Sequence, residues 1–381
     1  MGSNDDIRFL AGNPILISIN TGVNTNGRYR IYTGEGYITL LHDGNVFSIS
    51  GTAIIDLSEL FTNLRFIAGV MPAKMVTVDS EGVEYIPDPV QNSTNYYEFT
   101  VYGGGISKLM QRKLVAATSN IFSQKLKLDS NNFFLTSRTN NRIITIPENE
   151  LMPFFYYAKD MNFEIYSGND LILGTEYSET YESLMSIDFA ALRKYVFDNM
   201  DRLISVFDIY DTNNTFACRV VITHDISPTI YALKFRNSLG VLEMIRLQGI
   251  MSYKPEFTEV QVVESFDIDV NTFSAVQQRK LITNKFTAEV GYITSDERLF
   301  VIDAILSNEC YLVVDIDEYA VNVKTDISLL QDSTGEPISI QLQLEMKDKD
   351  TIFTSIISTQ EEILATNDGS PITVDNYKIH I

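Results

Sequence analysis

The feature that most constrains the fold of this chain is a strict alternation of apolar and polar residues. In "ISIQLQLEM" (338–346) every second residue is apolar and those between are polar. Successive side chains of a β-strand point to opposite faces of a sheet, so this run predicts a half-buried antiparallel strand. Over the first hundred residues, short runs of this kind recur about every ten residues between Gly, Asn and Asp turns, "LHDGN" (41–45) among them, which predicts a β-sandwich.

The central part of the chain also predicts strands. The runs "RLISVFDIY" (202–210) and "TFACRVVITH" (215–224) are joined by "DTNN", which favours a hairpin. The runs "TIYALKF" and "VLEMIRLQG" follow on either side of the turn in "FRNSLGV" (235–241). Four such strands in sequence order predict a meander.

Two segments predict short helices. The first covers 186–200, with Ser186 as the candidate N-cap and apolar residues four apart. The second covers 294–306 and opens with Thr294 and Glu297 at the spacing of a capping box. The chain is therefore predicted to be all-β, made mainly of antiparallel β-sandwich domains with two short helices.

The length of 381 residues exceeds that of one ordinary β-domain, and we predict three domains. They are an N-terminal β-sandwich domain (1–110), a central β domain with a short helix and the meander (111–255), and an acidic C-terminal β domain with a short helix (256–381).

The formal net charge of −21 is concentrated in the C-terminal part of the chain. From residue 256 onward there are 23 acidic and 8 basic residues, a net of −15, which leaves −6 for the first 255 residues. Nucleic acid requires a basic stripe, and an anionic membrane surface also attracts basic residues, so the charge favours neither partner. Solubility is the favoured explanation of the acidity, with docking of a basic partner or collection of divalent cations as the alternative.

No stretch of the sequence predicts a membrane span or a secretory signal. No window of 18 or more apolar residues exists. The start, "MGSNDDIRFL", lacks the basic and apolar regions of a signal peptide, with a removed signal replaced by "MGS" as the alternative. The two cysteines, Cys218 and Cys310, lie in apolar runs and are predicted to be buried free thiols.

Residue types that carry catalysis or bind metals are present without a convincing pattern. His42, His224 and His380 lie far apart in sequence, and each is predicted to be structural. Cys218 and His224 would lie about 20 Å apart on one strand, which excludes a thiol dyad. "YGGGISK" (102–108) lacks the spacing of a phosphate-binding loop.

Acidic and aromatic candidates are equally unspecific. Asp315 and Asp317 are placed on one face of an extended run, where protection of a sheet edge is favoured over calcium binding. Tyr96, Tyr97 and Tyr102 are a candidate platform for sugars, although alternation within a sheet is the favoured explanation. Carboxylate pairs for glycoside hydrolysis come from distant strands, so that alternative stays open. We therefore predict a protein that is not an enzyme, with no catalytic residue, no metal ligand and no cofactor.

The order of several sequence blocks resembles structural proteins of tail and baseplate modules in phages and prophages of Bacteroidetes-type bacteria. The blocks are "FLAGNPILISI" with "GTAIIDLSELF", the central "LKFRNSLGVLEMIRLQG", and "RKLITNKFTAEVGYITSDERLFVIDAILSNECYLVV" followed by "PISIQLQLEM". Asn237, Gly240 and Gly249 match the central turn of such proteins. Val241 and Leu242 depart from it, because an aromatic residue is frequent there.

This resemblance implies a non-enzymatic structural protein of a phage or prophage tail or baseplate-like assembly. Its partners would be other virion or tail proteins, or itself as a homo-oligomer, with no nucleic acid and no membrane insertion. It would be assembled in the host cytoplasm and then reside in the particle. The alternative is a secreted or surface β-sandwich adhesin or carbohydrate-binding protein, which would be extracellular or on the cell surface if a signal was removed.

Overall fold

The computed structural model describes most of the chain. The described residues are 7–86, 95–105, 134–138, 142–158, 161–177, 183–211, 213–224, 231–293, 297–325, 338–350, 373–374 and 377–378. Most of them lie in β-strands that form several largely antiparallel sheets, and the described part holds two short α-helices. The predicted all-β class is therefore confirmed.

The first hundred residues form two sheets that pack face to face. Their strands are β1 (Ile7–Leu10), β2 (Leu16–Gly22), β3 (Thr25–Thr33), β4 (Thr39–Ser48), β5 (Gly51–Asp56), β6 (Val70–Val78) and β7 (Tyr96–Tyr102). The larger sheet has the order β1–β7–β6–β3–β4, with β1 parallel to β7, and the smaller sheet pairs β2 with β5. Ile17 and Ile55 of the smaller sheet share a buried cluster with Ile31, Met75 and Val101 of the larger sheet. The N-terminal β-sandwich predicted from the sequence is present.

The second group of strands packs on the first helix. Its elements are β8 (Ile143–Pro147), β9 (Phe154–Ala158), β10 (Met161–Ser167), β11 (Asp170–Tyr177), β12 (Ser183–Ile187), α1 (Phe189–Met200), β13 (Val206–Asp211) and β14 (Phe216–Thr223). One sheet has the order β11–β10–β13–β14–β8, and a second pairs β12 with β9. Phe154 of β9, Phe189 and Val196 of α1, Phe207 of β13 and Val220 of β14 lie in one buried cluster.

The third group is a sheet of eight strands with the second helix on it. Its elements are β15 (Tyr231–Arg236), β16 (Leu242–Arg246), β17 (Gln248–Tyr253), β18 (Glu256–Asp267), β19 (Thr272–Ile293), α2 (Arg298–Leu306), β20 (Cys310–Val314), β21 (Asp317–Lys324) and β22 (Ile338–Asp350). The order is β16–β15–β20–β21–β22–β19–β17, and β18 pairs with β19. Phe300 and Ala304 of α2 share a core with Leu233, Leu312 and Leu342. A further short pair joins β23 (Thr373–Val374) and β24 (Tyr377–Lys378).

The predicted four-stranded meander is wrong, although its two hairpins are present. β13 pairs with β14, and β15 pairs with β16. The two hairpins lie in different sheets, because β14 finds its second neighbour in β8 and β15 finds its own in β20. Alternation predicts a strand, but it carries no information about which distant strand lies beside it.

Both predicted helices are present, with different starts. α1 is capped by Asp188, whose carboxylate accepts bonds from the backbone N–H groups of Ala190 and Ala191 at 2.9 and 3.1 Å. Ser186 lies in β12 instead. α2 begins after Glu297, whose side chain makes no capping bond, and Thr294 lies outside the described residues.

By the density of its internal contacts the chain divides into two compact units. One comprises Met1–Tyr253 and Lys285–Lys347, and the other comprises Lys254–Asn284 and Asp348–Ile381. A domain is a unit that is able to fold alone, which compactness does not test. The three domains at 1–110, 111–255 and 256–381 therefore stay a prediction.

Candidate functional site

Strand β4 lies at an edge of the larger N-terminal sheet and pairs with β3 alone among the described strands. The turn predicted at "LHDGN" is wrong, because the strand continues through these residues. A side chain at Gly44 would meet the ring of Tyr29 at 2.8 Å, and Tyr29 also packs on His42 with 5.6 Å between ring centroids. The ring of Tyr29 and the Nε2 of His42 thus occupy the space beside the glycine, and the structural role of His42 stays a prediction.

Large apolar side chains are exposed along β4 and beyond both of its ends. Leu40 is 50% exposed and Phe47 57%, while Ile38 and Ile49 flank the strand and are also exposed. An edge strand offers unpaired N–H and C=O groups to another strand, and exposed apolar side chains add area that favours burial. We call residues 38–49 the β4 edge and take it as a candidate protein-binding site.

The outward face beside the β4 edge is charged but locally neutral. Asp43 accepts bonds from Arg28 and Arg30 at 2.8 and 3.0 Å, and Arg30 also bonds Glu84 at 2.8 Å. Hydrogen bonds from the two arginines hold the pKa of Asp43 well below its usual range. Two guanidinium groups therefore balance two carboxylates, in a chain whose net charge is −21.

The turn in "FRNSLGV" is built around the buried side chain of Asn237. Its Oδ1 accepts bonds from the backbone N–H groups of Leu239 and Val241 at 3.0 and 3.1 Å. Its Nδ2 donates to the backbone oxygen of Leu135 at 2.9 Å and to Glu243 at 2.6 Å. One amide therefore closes the β15–β16 hairpin and also fixes a segment that lies a hundred residues earlier in the chain.

Other segments contact the same turn through backbone and ionic bonds. The N–H of Ala68 donates to the oxygen of Gly240 at 2.9 Å, and the backbone N–H of Ser238 donates to Asp303 of α2 at 3.0 Å. Arg236 forms a two-pronged ion pair with Glu309, at 2.6 and 3.2 Å. The turn therefore joins the N-terminal sandwich, α2 and the segment between α2 and β20, which is a structural role.

A buried ionic cluster closes the free edge of β16. Arg138 pairs with Glu150 at 2.6 Å and donates to the backbone oxygen of Met244, while Glu150 accepts the N–H of Arg246 at 2.8 Å. Burial raises the pKa of Glu243, and the nearby charge of Arg138 opposes that rise. These side chains supply the partners that a neighbouring strand would otherwise provide.

The cavity beside this cluster measures about 20 Å³. That volume holds about one water molecule, so the cluster offers no room for an organic substrate. A second, open groove of about 510 Å³ crosses the N-terminal sandwich and is lined by Asn20, Asn26, Glu84 and Tyr85 among others. It has the size of a ligand site, and Tyr85 is partly exposed within it.

The remaining candidate residues lie apart from one another. His224 pairs with Glu148, which also bonds Arg193 at 3.2 Å, and His380 lies outside the described residues. Cys218 and Cys310 are free and buried, as predicted, and burial raises the pKa of the Cys218 thiol to about 12.

The acidic pair and the tyrosines are not arranged as a ligand site. Asp315 adopts a left-handed conformation in the turn between β20 and β21, so it does not share a strand face with Asp317, and that prediction is wrong. Tyr96 and Tyr102 are buried within the sheet. Glycines of "YGGGISK" lie against other backbone, since Gly105 donates its N–H to Ser238 at 2.8 Å, and 106–108 lie outside the described residues.

Within the described ranges, no group of three or more His, Cys, Asp or Glu side chains is arranged to hold a metal ion. No described helix is long and apolar enough to cross a lipid bilayer. No protein-family model matches the chain, and the comparison with curated proteins found no significant match.

Sequence reasoning missed the β4 edge and the ionic cluster for different reasons. The β4 edge was missed because "LHDGN" has the composition of a turn. The signal that could have found it is Tyr29 of β3, which lies opposite Gly44 of β4. Arg138, Glu150 and Glu243 are distant in sequence and show no spacing pattern, so the sequence offered no signal for their contact.

Proposed function

We propose that this chain is a non-enzymatic structural protein of an assembly of the phage or prophage tail or baseplate type, acting through protein–protein contacts. The observation that carries the proposal is the β4 edge, whose outer side pairs with no described strand and which exposes Leu40 and Phe47. Exposed edges of this kind favour pairing with another chain, and a soluble monomer gains nothing from them.

The chemistry of the described residues agrees with a part that works by contact. The hydrogen bonds to the "FRNSLGV" turn connect separate segments of the chain. The cavity beside the buried ionic cluster holds about one water molecule. The resemblance in block order supplies the particular kind of assembly, with the particle as its final location and other tail proteins as its partners.

The test is the location of the chain in cells that encode it. Prophages are induced with a DNA-damaging agent, particles are purified on a density gradient, and their proteins are identified by mass spectrometry. We expect the chain to co-sediment with tail proteins and to be absent from the same gradient fractions of an uninduced culture. Recovery from the cell surface or the medium, without particles, would overturn the proposal.

The open groove of the N-terminal sandwich favours a second candidate, a surface adhesin or carbohydrate-binding protein. Asn20 and Asn26 supply amide groups and Tyr85 a partly exposed ring, which together suit a neutral, polar ligand such as an oligosaccharide. This candidate predicts binding to soluble oligosaccharides that Tyr85→Ala removes. Unchanged binding in that variant, or none in the parent chain, would exclude the groove as the site.

A further inference from the structure

The β4 edge has a sequence that is complementary to itself. In an antiparallel pair of two identical strands, a two-fold axis passes through one position, and residues equally far on either side face one another. Arg28 and Arg30 of β3 face Asn45 and Asp43, so these two residues of β4 point to the outward face, and His42 and Val46 point inward. A pairing that keeps inward residues opposite inward ones must place its axis on a residue, rather than between two.

Three axes satisfy this condition near the middle of β4, and charge decides between them. An axis at Asp43 would set the two copies of this carboxylate against each other, which is destabilising. An axis at Asn45 would set Asp43 against Phe47. An axis at Gly44 sets Asp43 against Asn45 and Leu41 against Phe47, so that in these two pairs polar faces polar and apolar faces apolar, and it sets His42 against Val46 on the inward face.

The geometry of the strand fits the axis at Gly44. The register between β3 and β4 shifts next to His42, where Leu41 is an extra residue, so a regular ladder is limited to His42–Val46 and the positions next to it. A bulge interrupts further pairing. Each Asp43 keeps its ion pairs with the arginines of its own chain in this arrangement.

We propose that the β4 edge binds a second copy of this chain, in an antiparallel β4–β4 pair with its two-fold axis at Gly44. This inference rests on the proposed function, because it names one partner of the same edge. A two-fold pair uses the β4 edges of both copies and closes on itself, so it forms a dimer and does not extend into a fibre.

The charge of the chain gives this dimer a distinctive dependence on salt. Each copy carries a net charge of −21, while the two arginines and two carboxylates beside the β4 edge sum to zero. Repulsion between the whole chains is screened by salt, since the Debye length falls from about 30 Å at 0.01 M to about 3 Å at 1 M. Dimerisation is therefore expected to strengthen with salt, whereas an interface held by ion pairs weakens.

Sedimentation velocity over a range of protein concentrations at these two salt concentrations measures the dissociation constant of the dimer. Phe47→Lys is compared with Leu171→Lys, because Phe47 faces Leu41 across the axis and is 57% exposed, while Leu171 is 49% exposed on β11, another edge strand. We expect Phe47→Lys to weaken the dimer by roughly tenfold or more and Leu171→Lys to leave it unchanged. Equal effects of the two variants, or a monomer at every concentration and at both salt concentrations, would overturn the inference.

Cross-linking tests the register directly. A mixture of Leu41→Cys and Phe47→Cys chains is oxidised, because these positions face one another across the axis at Gly44, and the native Cys218 and Cys310 are buried. We expect disulfide-linked dimers in the mixture and few with either variant alone. Position 41 of one chain lies about 20 Å from position 41 of the other chain, and the same holds for position 47. Cross-linking of one variant alone to the same extent refutes this register. A chain that is monomeric yet still co-purifies with particles refutes the dimer and leaves the proposed function standing.

Discussion

Replacing Asn237 by alanine tests whether the "FRNSLGV" turn holds separate segments of the chain together. The substitution removes four side-chain hydrogen bonds, two donated by Nδ2 and two accepted by Oδ1. A hydrogen bond contributes about 0.5–1.5 kcal/mol net, and a buried group left without a partner costs about 1–3 kcal/mol. Because Glu243 and the N–H of Val241 both lose this partner in a buried turn, we expect the free energy of unfolding to fall by about 3–5 kcal/mol.

Urea unfolding followed by circular dichroism measures the global loss, and hydrogen exchange of peptides from the β15–β16 hairpin measures the local one. Asn322→Ala is the matched control, because Asn322 is exposed on β21, and we expect it to change the free energy of unfolding by less than about 0.5 kcal/mol. Similar losses for the two variants would refute the reasoning.

The variant Asn237→Asp distinguishes the contribution of the amide oxygen, as an acceptor, from that of the amide nitrogen, as a donor. It keeps an oxygen for the N–H groups of Leu239 and Val241, but it loses the donor and places a second carboxylate beside the buried Glu243. Like charges in contact raise the pKa of one of them, so one carboxylate must take up a proton on folding. The loss of stability relative to the parent chain should therefore be larger at pH 7 than at pH 5, whereas the loss in Asn237→Ala should change less.

Three further outcomes follow from the same contacts. In urea unfolding, Gly240→Ala should lower the free energy of unfolding by several kcal/mol more than Gly168→Ala. Both glycines have a positive φ, but an added Cβ at Gly240 would lie 2.3 Å from the N of Ala68, whereas an added Cβ at Gly168 would have no atom within 4 Å. Arg138→Met should destabilise the chain by about 3–5 kcal/mol at pH 7 and by less at pH 5, because the charge of Arg138 no longer opposes the rise that burial causes in the pKa of Glu243; a loss independent of pH would contradict this. The Cys218 thiol, with its pKa near 12, should react with a thiol reagent at pH 8 only after unfolding in urea, and rapid reaction of the native chain would show that it is accessible.

The sequence predicted where the strands and helices of this fold lie, but it did not predict which distant strands pair with one another. In "ISIQLQLEM" the apolar positions Ile340, Leu342 and Leu344 are buried, as the alternation requires. Both helices were found from apolar spacing, although the cap of α1 is Asp188 and not Ser186. Local pattern indicates which side chains of an element share one face, because side-chain direction repeats with a fixed period along a strand or a helix.

The pairing of β15 with β20 could not be predicted, because the two strands are separated by more than sixty residues and both carry the same kind of apolar alternation. The same limit applies to the ionic cluster, where Arg138 meets Glu150 of a short 3-10 turn and Glu243 of β16, which is distant in the chain. In β4 a local rule failed: the composition of "HDGN" favours a turn, but the strand continues through it in register with β3, with Gly44 opposite Tyr29.

The edges of β16 and β4 differ in how they are covered, and the difference supports the proposed partner of the β4 edge. At β16 the backbone oxygen of Met244 and the N–H of Arg246 are bonded by the buried side chains of Arg138 and Glu150, so that edge is closed from within the chain. Burying such a pair is costly unless its hydrogen bonds are satisfied, as they are by these backbone groups. β4 has no equivalent among the described residues, and exposed Leu40 stands where a charged residue would block pairing. The difference between the closed β16 edge and the open, apolar β4 edge is what the proposed β4–β4 pair requires.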